Sequence, residues 1–299
     1  MEILKDIENI IDKENILLNE PMKKHSNFRS GGNAKIYLLP KTVKELEELI
    51  KYFENNNTEY IILGRGTNIL VKDGGIDKVV ISTFKLTGLE IEDNIVTADA
   101  GTPLALIANK ALAKELEGFE FAGGIPGSLG GGIFMNAGAH GGELKDVLLD
   151  VRVIDNGKIK VLKPEQLDLS YRHSNISEKG YVVLSARIKL KKGSKEEIKA
   201  KMEEFKDYRT RTQPSDPSAG STFKRPEGYI AAKLIDEAGL KGYTVGGACV
   251  SKKHAGFVIN ENNASTNDIL AVIEHVKKEV FGKYHVRLEE EVRIIGKDA

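Results

Sequence analysis

One cysteine, Cys249, is all the thiol chemistry this chain has. That excludes an internal disulfide and leaves no cysteine cluster for zinc or an iron–sulfur centre. Excess charge is missing as well. Lys and Arg together number 44 and Asp and Glu number 44, so the formal net charge is zero. Chains that live on nucleic acid ordinarily carry a basic surplus, because phosphate contacts dominate their affinity, and here it would have to be hidden in a local patch. No apolar run approaches the about 20 residues that a membrane span needs. The opening residues, MEILKDIENIIDKEN, interleave acids with apolar side chains and lack a basic start followed by an apolar core. They read as an amphipathic helix and not as a signal peptide. These absences predict a reducing, cytoplasmic setting, with no nucleic acid, no membrane, no metal site and no evident obligate protein partner.

Three familiar catalytic signatures are absent too. Gly64-Arg65-Gly66 follows a strand-like run, as a dinucleotide fingerprint would, but Ile69 stands where the third glycine of G-x-G-x-x-G belongs. The segment reads equally as a tight turn. No Gly-Lys-Ser/Thr exists for a P-loop, and no G-x-S-x-G for a serine-hydrolase elbow.

What is present is an interspersed series of strands and helices over 299 residues, enough for two or three domains. Strands are expected at 36–40, 60–64, 69–71 and 78–81, with a hairpin over 89–101 turning at Asp93-Asn94. Further strands are expected at 147–155 and 158–162, joined at Asn156-Gly157, and at 181–190. Thr42 with Glu45, and Ser194 with Glu197, carry the capping-box spacing that opens a helix. Another helix is expected after Pro103. Two prolines and several turn formers in 210–220 mark a domain boundary. Beyond it the pattern predicts helices near 228–238 and 266–281, strands near 244–250 and 256–260, and a last strand over 285–295. Without strict βαβ alternation the fold class reads as α+β.

Residues 122–142, AGGIPGSLGGGIFMNAGAHGG, differ in kind: nine of the chain's 30 glycines fall there, with no Lys, Arg, Asp or Glu. Glycine loses much conformational freedom on folding, so such density needs a reason. Close approach of backbone N–H groups to a phosphate is one. A disordered linker is the other, and Ile125, Leu129, Ile133, Phe134 and Met135 are core-type residues that argue against it. The stretch Ser218–Pro226, SAGSTFKRP, gathers hydroxyls, a glycine and two cations, which suits a phosphate-contacting loop. Arg172 and His173 in LSYRHS carry no signal alone. In 285–295 the residues Val286, Leu288, Val292 and Ile294 alternate with Arg287, Glu289, Glu291 and Arg293, a pattern that a salt-bridged solvent face also gives.

Taken together, GIPGSLGGGIFMNAGAHG, LSYRHS, SAGSTFKRP and LEEEVRIIG occur in an order and at separations that resemble those of the UDP-N-acetylenolpyruvoylglucosamine reductases of bacterial cell-wall synthesis. HSNFRSGGNA, LGRGTNILVKDGG, LIDEAGLKG and VSKKHAGFVIN match as well, so the likeness spans nearly the whole chain. Departures are modest. Thr67 stands for the usual Ser, Leu129, Gly132 and His140 stand for Val, Ala and Tyr, and the chain resembles the short subclass without the tyrosine-bearing loop insertion.

The resemblance implies a PCMH-type flavoprotein. A two-part FAD-binding domain (1–205, divided near 85) would be followed by an α+β substrate-binding domain (206–299) that includes the closing strand. It implies non-covalent FAD, held by Gly64, Gly66, Thr67, Asn68, Gly123, Ile125, Pro126, Gly127, Ser128, Gly130, Gly131 and Asn136. It implies that NADPH donates hydride for reduction of the enolpyruvyl group of a UDP-sugar, with Ser221 as proton donor and Arg172 and Glu291 stabilising the enolate. Lys224, Arg225 and Lys252 are expected at the substrate. The same glycine loops would serve an oxidase or dehydrogenase on this scaffold, or a binding protein without turnover. Neither has reason to keep SAGSTFKRP and LEEEVRIIG together with Arg172, Ser221 and Glu291.

Overall fold

The computed structural model describes residues 2–299, which form an α+β fold of two compact units. The first takes the chain up to Leu17, then Ile36–Arg65 and Lys78–Arg209. The second takes Leu18–Lys35, Gly66–Asp77 and Thr210–Ala299. The chain thus passes from one unit to the other inside the Gly64-Arg65-Gly66 turn.

In the first unit, the strand Tyr60–Leu63 runs parallel to Val79–Ser82, which also runs parallel to Asn33–Leu38 through Tyr37 and Leu38. Parallel strands need a crossover, and the helix Val43–Asn55 supplies it between the first two in sequence. Its start follows half of the expected capping box: the Thr42 side chain accepts from the Glu45 N–H, whereas the Glu45 carboxylate accepts at 2.7 Å from the N–H of Lys41, one residue before the cap. Leu46, Leu49, Ile50 and Phe53 share one helical face and are fully buried against Leu38, Val79 and Ile81.

A five-stranded antiparallel sheet follows, in the order 158–162, 148–155, 182–189, 95–99, 89–92. Both expected turns are present. Asp93 adopts φ 52°, and Asn156 and Gly157 adopt 47° and 68°, the left-handed pair that a two-residue hairpin requires. The strand Val182–Lys189 is covered on both faces. Val182 and Leu184 join the Phe53 cluster, while Val183, Ala186 and Ile188 pack with Leu104, Ile107, Leu129 and Ile133. The helices Leu104–Ala113 and Leu129–Phe134 bring those last four residues to the sheet. The long helix Lys195–Thr212 lays Ile198, Met202 and Phe205 inward, and its half-buried Arg209 donates to the Gly124 carbonyl.

The second unit is built around the helix Thr266–Tyr284. Ser265 and Asp268 form a capping box, and the Asp73 carboxylate accepts from the Thr266 and Asn267 N–H groups at 3.0 Å each. An acid suits the positive end of a helix. Ile269, Val272, Ile273, Val276 and Val280 form its buried stripe, packed on Leu234, Ile235, Ala248, Val250, Val258 and Leu70.

Two expectations change. The opening helix covers only Glu2–Glu8, and a strand, Ile16–Pro21, follows that the amphipathic pattern did not suggest. Ile7 and Ile11 are buried as an amphipathic face should be, but tertiary bonding at Asn15, whose carbonyl accepts from the Leu39 N–H, ends the local pattern. The terminal strand is likewise shorter, Arg293–Ile295, and pairs parallel with Ile69–Val71. Leu288 and Val292 are buried, whereas Ile294 is 38% exposed, so the alternation does not hold to its end.

Candidate active site

In the first unit, the turn after Tyr60–Leu63 places Gly64 against Ser128. A Cβ on Gly64 would lie 2.7 Å from the Ser128 Oγ, and one on Gly131 would touch only that same oxygen, at 3.7 Å. Ser128 is buried, precedes the helix Leu129–Phe134 without capping it, and its Oγ has no hydrogen-bond partner. Bare backbone beside an unsatisfied buried hydroxyl fits a phosphate-bearing group such as FAD, which needs donors and tolerates no intervening side chain.

The neighbouring glycines have other reasons. A Cβ on Gly130 would meet Ala100 at 2.9 Å and one on Gly132 would meet Leu144 at 2.8 Å. The N–H groups of Leu129 and Gly130 donate to the carbonyls of Thr102 and Ala100. So part of the glycine density serves packing of the chain on itself, and Gly64, Ser128 and Gly131 carry the open face. Gly123 abuts Met202, Gly127 takes φ 140°, Ile125 packs on the core and Pro126 is exposed. Arg65 was not singled out by the sequence. Its guanidinium lies 4.4 Å from the centre of the Phe84 ring, its buried Nε has no partner, and burial lowers its pKa. The only sequence signal is its place between two glycines.

Arg172 also belongs to this unit. It sits at φ 54° in a two-residue turn closed by Ser170 and His173, which exchange both backbone bonds at 3.2 Å. Its Nη2 donates to the Gly138 carbonyl at 3.2 Å. Asn136, expected at the cofactor, is fully buried and its amide is engaged by the chain. Nδ2 donates to the Glu143 carboxylate and to the Ser170 carbonyl, and Oδ1 accepts from the Lys145 N–H.

The second unit assembles the other half of the expected set. Gly66 takes φ 63°, and a Cβ there would lie 1.8 Å from the His25 carbonyl, so only glycine fits. Thr67 is half-buried. Asn68 donates from Nδ2 to the Glu291 carbonyl at 3.0 Å, and its own carbonyl accepts from the Arg293 N–H. The Glu291 N–H donates to the Thr222 carbonyl and the Lys224 N–H to the Glu289 carbonyl, both at 2.8 Å. These bonds pair 222–224 with 289–291, and so bring the segments bearing Ser221 and Glu291 side by side. Ser221 is exposed and follows Gly220 at φ 79°. The Lys224 ammonium pairs with Glu289 at 3.4 Å. Thr222 donates its N–H to the Gly256 carbonyl, which ties in the 251–257 loop that carries Lys252. Arg225 and Lys252 are exposed. No group of three or more His, Cys, Asp or Glu that could hold a metal exists among the described residues.

A family model described as FAD binding domain matches residues 34–163. A second, described as UDP-N-acetylenolpyruvoylglucosamine reductase, C-terminal domain, matches 213–295. The UDP-N-acetylenolpyruvoylglucosamine reductase of Clostridium novyi (strain NT) is 50% identical over 301 residues, covering 100% of this chain and 98% of its own. The chain belongs to the UDP-N-acetylenolpyruvoylglucosamine reductase family.

The relative of that name from Caldanaerobacter subterraneus subsp. tengcongensis is 49% identical over 298 residues, with 99% of each chain covered. The crystal structure of the Thermus caldophilus reductase superposes with a TM-score of 0.80 at 34% identity, over 94% of this chain and 98% of its own. As a member of the UDP-N-acetylenolpyruvoylglucosamine reductase family, the chain is an FAD-dependent oxidoreductase of peptidoglycan precursor synthesis that takes its electrons from NADPH.

Proposed function

We propose that Ser221, Glu291 and Arg172 carry the chemistry by which this enzyme reduces UDP-N-acetylglucosamine enolpyruvate to UDP-N-acetylmuramate. The pairing of 222–224 with 289–291, locked by Asn68, is the observation that most supports the reading. It fixes a hydroxyl and a carboxylate on adjacent, hydrogen-bonded segments. Gly64, Ser128 and Gly131 would hold the cofactor's phosphates, with Gly66, Thr67, Asn68, Gly123, Ile125, Pro126, Gly127 and Gly130 shaping the loops around it. When bound, FAD would supply the redox chemistry, hydride transfer from NADPH to the vinyl methylene carbon.

The chain's own residues manage the charge and the proton that remain. Hydride addition leaves negative charge on the adjacent carbon and its carboxylate. Arg172, a fixed cation, stabilises that charge. Ser221 gives its hydroxyl proton to the carbon, and Glu291 assists as a hydrogen-bonding group in its protonated form or by orienting a donor. Arg225 and Lys252 take the diphosphate of the sugar nucleotide, and Lys224, three residues on from Ser221, is the cation that helps the hydroxyl give up its proton. On this reading 1–205 serves the flavin and 206–299 the substrate. The finer setting is cytoplasmic, without nucleic-acid, membrane or obligate protein partner. Balanced charge supports it, and no described helix is long and apolar enough to cross a membrane.

Ser221→Ala tests the assignment. Reduction of bound flavin by NADPH needs no proton at the enolpyruvyl carbon and should proceed normally. Turnover of the sugar nucleotide should slow by roughly 10²–10⁴-fold, the contribution of a positioned general acid. Stopped-flow traces showing an unimpaired second half-reaction would remove Ser221 from the chemistry.

A further inference from the structure

We infer that Glu143 is a positioning residue for Arg172, setting where its guanidinium is presented; this rests on the role proposed above for Arg172. The turn that carries Arg172 is two residues long, closed by the Ser170–His173 backbone pair, with Arg172 in the left-handed region and its guanidinium 5.2 Å from the centre of the Tyr171 ring. Its ends are pinned from the glycine-rich segment. The Ser170 carbonyl accepts from Asn136 Nδ2 at 3.0 Å, and the Ser174 hydroxyl donates to the Phe134 carbonyl at 2.7 Å.

Glu143 completes the support from the other side. Its carboxylate accepts the second Asn136 amide hydrogen at 2.9 Å and pairs with the Lys145 ammonium at 2.9 Å. Gly138, whose carbonyl receives the Arg172 guanidinium, lies directly opposite Glu143 in the short ribbon of Gly138–Ala139 and Gly142–Glu143. Glycine is required at that point, since a Cβ on Gly138 would lie 2.6 Å from the Gly142 carbonyl, and it would also lie 2.7 Å from the Glu143 Cγ. The side chain of Glu143 therefore passes close to the residue that accepts from Arg172. The carboxyl is held below its usual range first by the Lys145 hydrogen bond, then by Asn136 and by the charges of Lys145 and Arg172. One carboxylate thus holds the ammonium and the amide that grips the turn, and its charge acts on the guanidinium that the turn carries. It also caps the turn Leu144–Asp146, a purely structural duty from which positioning must be separated.

The test is a double-mutant cycle on the FAD-loaded enzyme with Glu143→Gln, Arg172→Ala and the double variant, following each half-reaction by stopped flow. Glu143→Gln should slow the sugar-nucleotide half-reaction about tenfold, a coupling of the size that groups in one network show. Flavin reduction by NADPH should stay within about twofold, and adding Glu143→Gln to Arg172→Ala should cost no more than about twofold further. The inference is overturned if Glu143→Gln slows both half-reactions equally, or acts with full strength when Arg172 is already alanine. It is overturned as well if Glu143→Gln has no effect while Arg172→Ala does. A normal second half-reaction in Arg172→Ala would instead strike the parent assignment of Arg172, and Glu143 with it. Should Glu143→Gln not retain flavin, Glu143→Asp keeps the charge and the cap. It is then expected to slow only the second half-reaction, and an equal loss in both would overturn the proposal.

Discussion

Replacing Ser128 by alanine should weaken FAD binding without harming the protein that lacks it. The Ser128 hydroxyl is 1% exposed as a residue and its Oγ has no partner within the chain. Leaving a buried hydroxyl unsatisfied costs about 1–3 kcal/mol, so deleting it should leave the FAD-free protein as stable as before, or more stable by about 1 kcal/mol. A hydrogen bond to a charged acceptor contributes about 1.5–3 kcal/mol, which corresponds to roughly 10–100-fold in the FAD dissociation constant. Two measurements on FAD-free protein decide it: a titration read by quenching of flavin fluorescence, and a thermal melt. With excess FAD the melting temperature of the variant should fall below that of the parent, because a ligand stabilises in proportion to the logarithm of its concentration over its dissociation constant. A destabilised FAD-free variant with unchanged FAD affinity would refute the reasoning, since the hydroxyl would then be structural.

Asp150→Asn should destabilise the fold by about 1.5–3 kcal/mol near neutral pH, towards the lower end because its partner is half-exposed. The Asp150 carboxylate is 3% exposed and accepts from Arg187 Nε at 2.9 Å and Nη2 at 2.6 Å, and from Lys163 at 3.3 Å. Arg187 first, then Lys163, holds its pKa below the usual value, so the contribution is full above the ordinary carboxylate range and fades as pH falls through the lowered value. Denaturant titrations at pH 7 and pH 3 should therefore show the penalty of the asparagine variant shrinking in acid, and a penalty independent of pH would contradict it. Cys249 is 2% exposed and burial pushes its thiol up to about 11. A thiol reagent at pH 8 should leave the folded enzyme unlabelled and label it stoichiometrically once unfolded; rapid labelling of the native protein would refute the assignment of an inert core thiol.

Local chemistry was legible wherever a few adjacent residues decide the backbone. Thr42 and Glu45 start a helix, Asn156-Gly157 and Asp93 turn hairpins, and in each case the structure follows because the determining contacts lie within about four residues. The opening residues and the final strand behave otherwise. Alternation in 285–295 describes which side chains can be buried, but whether they form a strand depends on what lies alongside. Residues 289–291 pair with 222–224, and only Arg293–Ile295 finds a strand, Ile69–Val71.

The site divides in the same way. Ordered motifs spread over the whole sequence were enough to point to the family, the flavin and the residues expected to act, because each motif is short and contiguous. No contiguous stretch reveals that Gly66 yields to the His25 carbonyl, that Gly130 and Gly132 serve packing, or that Glu143 lies opposite Gly138, whose carbonyl accepts from Arg172. The sequence by itself determined most of the α+β elements and pointed to the family and its flavin, since these depend on residue type, near neighbours and the order of short motifs. Tertiary structure alone decided which glycines face open space, which buried hydroxyl lacks a partner and which segments lie beside one another, because those depend on contacts between residues as far apart as Asn68 and Glu291.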